Sequence, residues 1–105
     1  MQLIPITPVA NQSLSFAQDG NRWDVVLKIG ASCMVADISI NGGLLLSGSR
    51  IMGDDFIIPY HYMGVAQGNL MLSVTNEEIP NWREFGGTQQ LFYWTPEEMA
   101  GLANG

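Results

Sequence analysis

Charge is what this sequence has least of. Only 13% of its 105 residues are Asp, Glu, Lys or Arg, against roughly 25% in an ordinary globular domain. The four cations, Arg22, Lys28, Arg50 and Arg83, are scattered, and ten acids leave a formal net charge of −6. Binding along a phosphate backbone needs clustered Lys and Arg, so sequence-specific nucleic-acid recognition is not expected. Cysteine is nearly absent as well. The single Cys33 rules out an internal disulfide, and its apolar neighbours point to a buried small hydrophobe. One cysteine and one histidine, His61, cannot build the usual nitrogen and sulfur cage for zinc. Asp54-Asp55 lacks the spacing of a calcium loop and reads as a solvated turn. No metal or other cofactor is implied. The start, MQLIPITPV, has no basic stretch and is interrupted by prolines, which argues against a secretory leader. No apolar run approaches the ~20 residues that span a bilayer, so membrane insertion is not expected.

What the chain does have is apolar surface. Hydrophobic residues make up 47%, and a chain of this length buries roughly 65% of its unfolded surface in one core. Two explanations fit the shortage of charge. Either the surface is quiet, built of Ser, Thr, Asn, Gln and Gly, or partner subunits cover part of it. We favour the second.

Pro5 and Pro8 fix extended geometry around themselves. Residues 1–12 are therefore expected to form an extended arm, with Leu3, Ile4, Ile6 and Val9 offering apolar contacts either to their own domain or to a neighbour. SLSFAQ then alternates apolar and polar positions with period two, the mark of a half-buried strand. Asp19-Gly20 follows as a tight-turn pair, and RWDVVLKIG resumes the alternation, with Trp23, Val25, Leu27 and Ile29 on one face. A β-hairpin over residues 13–29 results. CMVADISI, Asn41-Gly42 and LLLSG predict a second hairpin. Gly53-Asp54-Asp55 reads as a turn, and Pro59 demotes the segment after it to an edge or a connection. NLMLSVTN and QQLFYWTP are two further strands, joined by the turn-rich EEIPNWREFGGTQ.

After Pro96, the N-cap Thr95 and the acids Glu97 and Glu98 start one helical turn. Two glycines argue against a longer helix, so residues 97–105 are expected to be a flexible tail. Short strands with turns about every ten residues define an all-β fold over residues 13–96. It is a small antiparallel sandwich or a partly closed barrel, since strand count alone does not fix closure.

No residue set here carries chemistry. His61 lies between two tyrosines, and no Ser sits in a nucleophile elbow, so a hydrolytic site has no partners. Gly42-Gly43 and Gly86-Gly87 match neither phosphate-loop nor dinucleotide patterns and are turns. The aromatics are more informative. Phe92 and Trp94 must oppose Tyr93 on a strand, so one of those faces leaves the core or meets something else. Trp82, in a polar connection, is the best single candidate for an exposed interface anchor. A protein interface and a sugar-stacking platform both remain open at this point.

Several segments taken together resemble the baseplate plug proteins of cyanophage-type contractile tails. They are IPITPVANQSLSF, DGNRWDVVLKI, DISINGG with LLLSG, IMGDDFIIPYHYMG and FGGTQQLFYW. The family's Asn-Gln after the arm corresponds to Asn11-Gln12. Its Pro-Tyr-x-Tyr segment is Pro59-Tyr60-His61-Tyr62, and its closing strand is Gly87-Thr88-Gln89-Gln90-Leu91-Phe92-Tyr93. The resemblance covers roughly residues 3–96. KIGASCMVADISI departs from it where the family more often has an Asn-containing turn and an aromatic, which leaves that hairpin turn open.

The resemblance implies a non-enzymatic virion protein at the distal end of the tail. Such a protein assembles in the host cytoplasm, in several copies around the hub and tube, linking neighbouring baseplate proteins. Its partners would be hub, tube and baseplate proteins and copies of itself. Under this reading the interface residues are Ile4, Pro5, Ile6, Pro8, Val9, Tyr60, Tyr62, Trp82 and Trp94. The alternative, from the aromatics and the low charge, is a carbohydrate-binding β-sandwich.

Overall fold

A computed structural model describes residues 1–30, 33–58, 68–76 and 78–104, with backbone alone at 102–104. The predicted Pro59 edge, Tyr60, His61 and Tyr62 lie outside the described residues, as does the centre of the 30–33 turn. Among the described residues seven strands form in chain order: β1 (Gln2–Ile4), β2 (Gln12–Gln18), β3 (Asn21–Ile29), β4 (Met34–Ile40), β5 (Gly43–Arg50), β6 (Asn69–Ser73) and β7 (Gln90–Trp94). They build two antiparallel sheets, β2-β3-β4-β5 and β1-β7-β6. Neither sheet closes on itself, so of the two architectures left open by the pattern the fold is the sandwich.

The two hairpins form where the turn pairs predict them. Asp19 and Gly20 take φ of 52° and 78°, and Asn41 and Gly42 take 52° and 83°. Two successive left-handed residues match the right-handed twist of the flanking strands. The period-two pattern then sets the register. Trp23, Val25 and Leu27 of β3 and Met34, Ala36 and Ile38 of β4 are buried. So are Leu70 and Leu72 of β6 and Leu91 and Tyr93 of β7, facing them from the other sheet. Ile29, expected on the inner face, stands 51% exposed where β3 runs out of the sandwich.

Of the two courses open to them, the first residues pack on their own domain. Gln2–Ile4 pair with β7, Ile4 opposite Leu91, and Ile4 and Ile6 are buried in the protein's own core. Ile4 and Ile6, expected to offer apolar contacts, make them within their own domain. The far end departs further from expectation. A nine-residue helix, α1, spans Pro96–Asn104 where one turn was predicted. Thr95 Oγ1 accepts from the Glu98 N–H at 3.1 Å, and the Glu98 carboxylate accepts from the Thr95 N–H at 2.9 Å. This reciprocal capping box satisfies two of the orphan donors at the helix start. Met99 is buried beneath it, and the Met1 ammonium binds the Glu98 carboxylate. Cap and contact together outweigh the cost of Gly101, ~1 kcal/mol.

On the outer face of the larger sheet, Asp37 accepts from the Lys28 ammonium at 2.7 Å and from the Gly48 N–H at 2.6 Å. Gly48 sits at φ 65° in the stretch where β5 slips register against β4. The Lys28 bond first, then the Gly48 bond, hold the Asp37 carboxyl below the usual carboxylate range. Its folded pKa is depressed, so its contribution is present above the unfolded pKa of about 3.9. That contribution is lost as pH falls through the lower folded value. The melting temperature of the wild type should therefore drop as pH falls from about 5 to about 2. In Asp37→Asn, melting curves across that range should show a lower starting value and a shallower drop.

Candidate functional site

The two ends of the sandwich differ. At one end the Asp19-Gly20 and Asn41-Gly42 turns close tightly, and Tyr93 Oη donates to the Asp19 carboxylate at 2.9 Å. A side chain at Gly68 would overlap the Trp94 carbonyl and the Tyr93 hydroxyl, so the chain passes there only as glycine. At the other end lie the longer connections into β2 and between β6 and β7. Two adjoining hollows of about 430 Å3 each open there, sharing Cys33, Met34, Ile79 and Pro80. Ile29 and Trp82 extend the groove on one side, and Met52, Val74 and Arg50 on the other.

Ile79 stands over this groove 83% exposed, with Met52 at 52% nearby. Exposed apolar groups clustered over a cleft, rather than scattered singly, mark an interaction surface. Cys33, expected to be buried, is instead half-exposed on the groove wall. It lies just before β4, where the chain has left the core.

A buried amide holds the Ile79 loop in place. Gln89 is fully buried. Its carbonyl oxygen accepts from the Asn81 N–H at 2.9 Å, and its NH2 donates to the Ile79 carbonyl at 3.0 Å. Next to it, Asn81 caps a single 3-10 turn, Trp82–Glu84, and accepts from the Arg83 N–H at 3.1 Å. Gln89 thus stands in for a missing strand neighbour. Asn69 does the same for Ile58, donating to its carbonyl at 3.1 Å and accepting from its N–H at 3.0 Å. Neither amide was singled out from sequence. The only signal was a polar residue at an inward position of an otherwise apolar alternation.

The predicted site residues divide. Trp82 lies at the groove but is half-buried and packed against the core, with the Arg83 guanidinium 4.7 Å above its ring. Pro5, Pro8 and Val9 are exposed, and the latter two lie in the connection that enters β2 at this same end. Ile4 and Ile6 face inward. Trp94 belongs elsewhere, on the outer face of the three-stranded sheet, where its ring meets the edge of Phe56 at 5.3 Å. Leu3, Phe92 and Met71 form one cross-strand row on that face.

Neither Trp82 nor Trp94 has a coplanar ring beside it among the described residues. One face of Trp82 is taken by Arg83, and the ring plane of Trp94 lies nearly perpendicular to that of Phe56, at 86°. Among the described residues the one coplanar pair, Phe16 and Trp23 at 7°, includes a ring with no exposure. Among the described residues no group of three or more His, Cys, Asp or Glu side chains is placed to hold a metal.

A two-sheet sandwich with an apolar, loop-built groove and an apolar outer face has the makings of an assembly subunit. The chain matches, over residues 1–97, the family described as "Cyanophage baseplate Pam3 plug gp18", and it belongs to that family of phage baseplate plugs. Membership supports a structural role in the tail baseplate. A comparison with curated proteins finds no match.

Replacing Gln89 with Leu removes its part-buried hydrogen bonds to the Asn81 N–H and the Ile79 carbonyl, each contributing about 0.5–1.5 kcal/mol. Gln89→Leu should lower the unfolding free energy measured in urea by about 1–3 kcal/mol. It should also speed proteolysis within residues 78–84.

Proposed function

We propose that this protein is built into the tail baseplate in several copies around the central hub and tube, and that it links them to neighbouring baseplate proteins. It works by assembly and not by catalysis. Its partners are hub, tube and baseplate proteins and further copies of itself, met after synthesis in the host cytoplasm. The observation that carries the proposal is the exposed Ile79, standing over a groove whose walls include Met34, Met52 and Pro80. An apolar rim of this kind costs solubility in a free protein and is repaid when a partner covers it.

The groove end, with Val9, Pro8 and Trp82 beside it, is the first contact surface in this reading. The outer face carrying Trp94 is the second, and Pro5 lies on the exposed stretch between the buried Ile4 and Ile6. Tyr60 and Tyr62 remain interface candidates from the family resemblance alone. The net charge of −6 fits a subunit beside passing DNA, because like charge keeps a polyanion from adhering. The protein has no sequence-specific nucleic-acid role and no membrane role in this account. Among the described residues no helix is long and apolar enough to cross a bilayer.

The test is incorporation. Ile79→Asp changes an exposed position and should leave stability within about 0.5 kcal/mol of wild type. Buried in an interface it should cost ~2 kcal/mol or more and strip the protein from purified tails. Trp82→Ala should weaken incorporation in the same direction. Tails that retain both variants at the wild-type level, measured by quantitative mass spectrometry, would show that the groove faces solvent.

A further inference from the structure

The sandwich has four lateral edges, and three of them are protected. β1 is only three residues long and is followed by Pro5. The outer side of β6 is paired with the preceding segment, through the Asp54 N–H to the Leu72 carbonyl and the Ile57 N–H to the Leu70 carbonyl, both at 2.8 Å. β5 slips register, turns through the left-handed Gly48, and ends in Arg50. Short strands, prolines, bulges and charges are the usual devices against unwanted strand pairing.

β2 has none of them. It runs seven residues in unbroken register against β3, and its sequence QSLSFAQ contains no charge, no proline and no glycine. Among the described residues its outer backbone groups have no backbone partner. The half-buried Leu14 and Phe16 are left at the margin of the core.

The order of residues along β2 says what covers it. Read outward from Ser15, the strand is nearly symmetric: Leu14 against Phe16, Ser13 against Ala17, Gln12 against Gln18. We infer that β2 pairs antiparallel with β2 of a second copy about a two-fold axis at Ser15, joining two four-stranded sheets into one of eight.

In that register Ser15 meets its own counterpart. Each large apolar residue meets a large one and each small residue a small one, while Gln12 and Gln18 at the ends keep their side-chain bonds to Thr7, Val9 and Gln2 of their own chain. Faces are preserved, since antiparallel partners keep opposed side chains on the same side of the sheet. The exposed Ser13, Ser15 and Ala17 stay together on the outer face, and Leu14 and Phe16 close the seam on the inner one. Two copies, each carrying −6, can approach along this line because no like charges meet within it. A partner strand of unrelated sequence would satisfy the backbone groups equally well, but it would not account for the symmetry. The inference deepens the multi-copy assembly proposed above. Its test is read on the isolated chain, so a failure here leaves tail incorporation to be judged separately.

The experiment has two arms. In a Cys33→Ser background, Ser15→Cys places two thiols across the axis. Their Cα atoms lie about 4.5–5.5 Å apart, within the range a disulfide spans. Mild oxidation at high micromolar protein should give a species of twice 11.5 kDa as the main product. The second arm tests register by light scattering. Ser13→Glu with Ala17→Glu sets glutamates against each other and should abolish the dimer while leaving the circular dichroism spectrum unchanged. Ser13→Lys with Ala17→Glu sets each lysine against a glutamate of the other copy and should retain it. A wild-type monomer at every concentration together with no cross-link, or a dimer indifferent to the double glutamate, would overturn the proposal.

Discussion

The contact on which the rest depends is the aromatic cluster of Phe16, Trp23 and Tyr93. Phe16 and Trp23 lie side by side in the larger sheet with ring centres 5.9 Å apart, and Tyr93 of the smaller sheet meets both edge-on, at 6.0 and 5.4 Å. Edge-to-face geometry sets the positive rim of one ring against the negative face of another. The Tyr93 hydroxyl continues past the cluster to the Asp19 carboxylate. Burial, followed by that bond to an acid, pushes the Tyr93 phenol well above its ordinary pKa, so it stays a neutral donor. Because Tyr93 lies on β7, the central strand of the small sheet, the cluster also fixes where β1 and β6 sit.

From that anchored end the sandwich grows toward an open one. Tight turns with left-handed pairs seal the Tyr93 end, and their shortness leaves no side chains free for binding. The opposite end is made of longer connections that join the sheets only at single bridges such as Phe56 with Met71. Buried amides supply the missing hydrogen bonds there, Gln89 holding the Ile79–Asn81 loop. Apolar residues can stand over the groove because the backbone below them is satisfied. The division of labour is physical: one end stores stability, and the other carries an apolar surface that only a partner can cover.

The sequence was most legible where a local rule had no competitor. Period-two alternation and the Asp-Gly and Asn-Gly pairs located β2 to β5, and these pairings are local. Ile4 and Ile6 were legible as apolar but not as inward-facing, because β7, which pairs with Gln2–Ile4, lies some 90 residues away along the chain. α1 was underestimated because glycine content was weighed without Met99, whose burial depends on tertiary packing. Cys33 was misjudged for the converse reason, since an apolar neighbourhood in sequence does not say where a strand ends. Gln89 and Asn69 escaped notice because a polar residue at an inward position gains meaning only once its backbone partners are in place. Trp82, expected to be an exposed anchor, lies half-buried beside the groove, and the residue that stands most exposed there, Ile79, sits in a stretch with no periodicity to reveal it.

The central claim is that this chain is a structural part of a phage tail baseplate held by contacts through its open end. A cryo-electron-microscopy reconstruction of the tail tip from the particle that encodes it tests this most directly. The account predicts density for the sandwich in symmetric copies around the tail axis, with Ile79, Met52 and Trp82 covered by a neighbouring subunit. A tail tip in which the sandwich is absent, or in which it is present with its groove open to solvent, would contradict it.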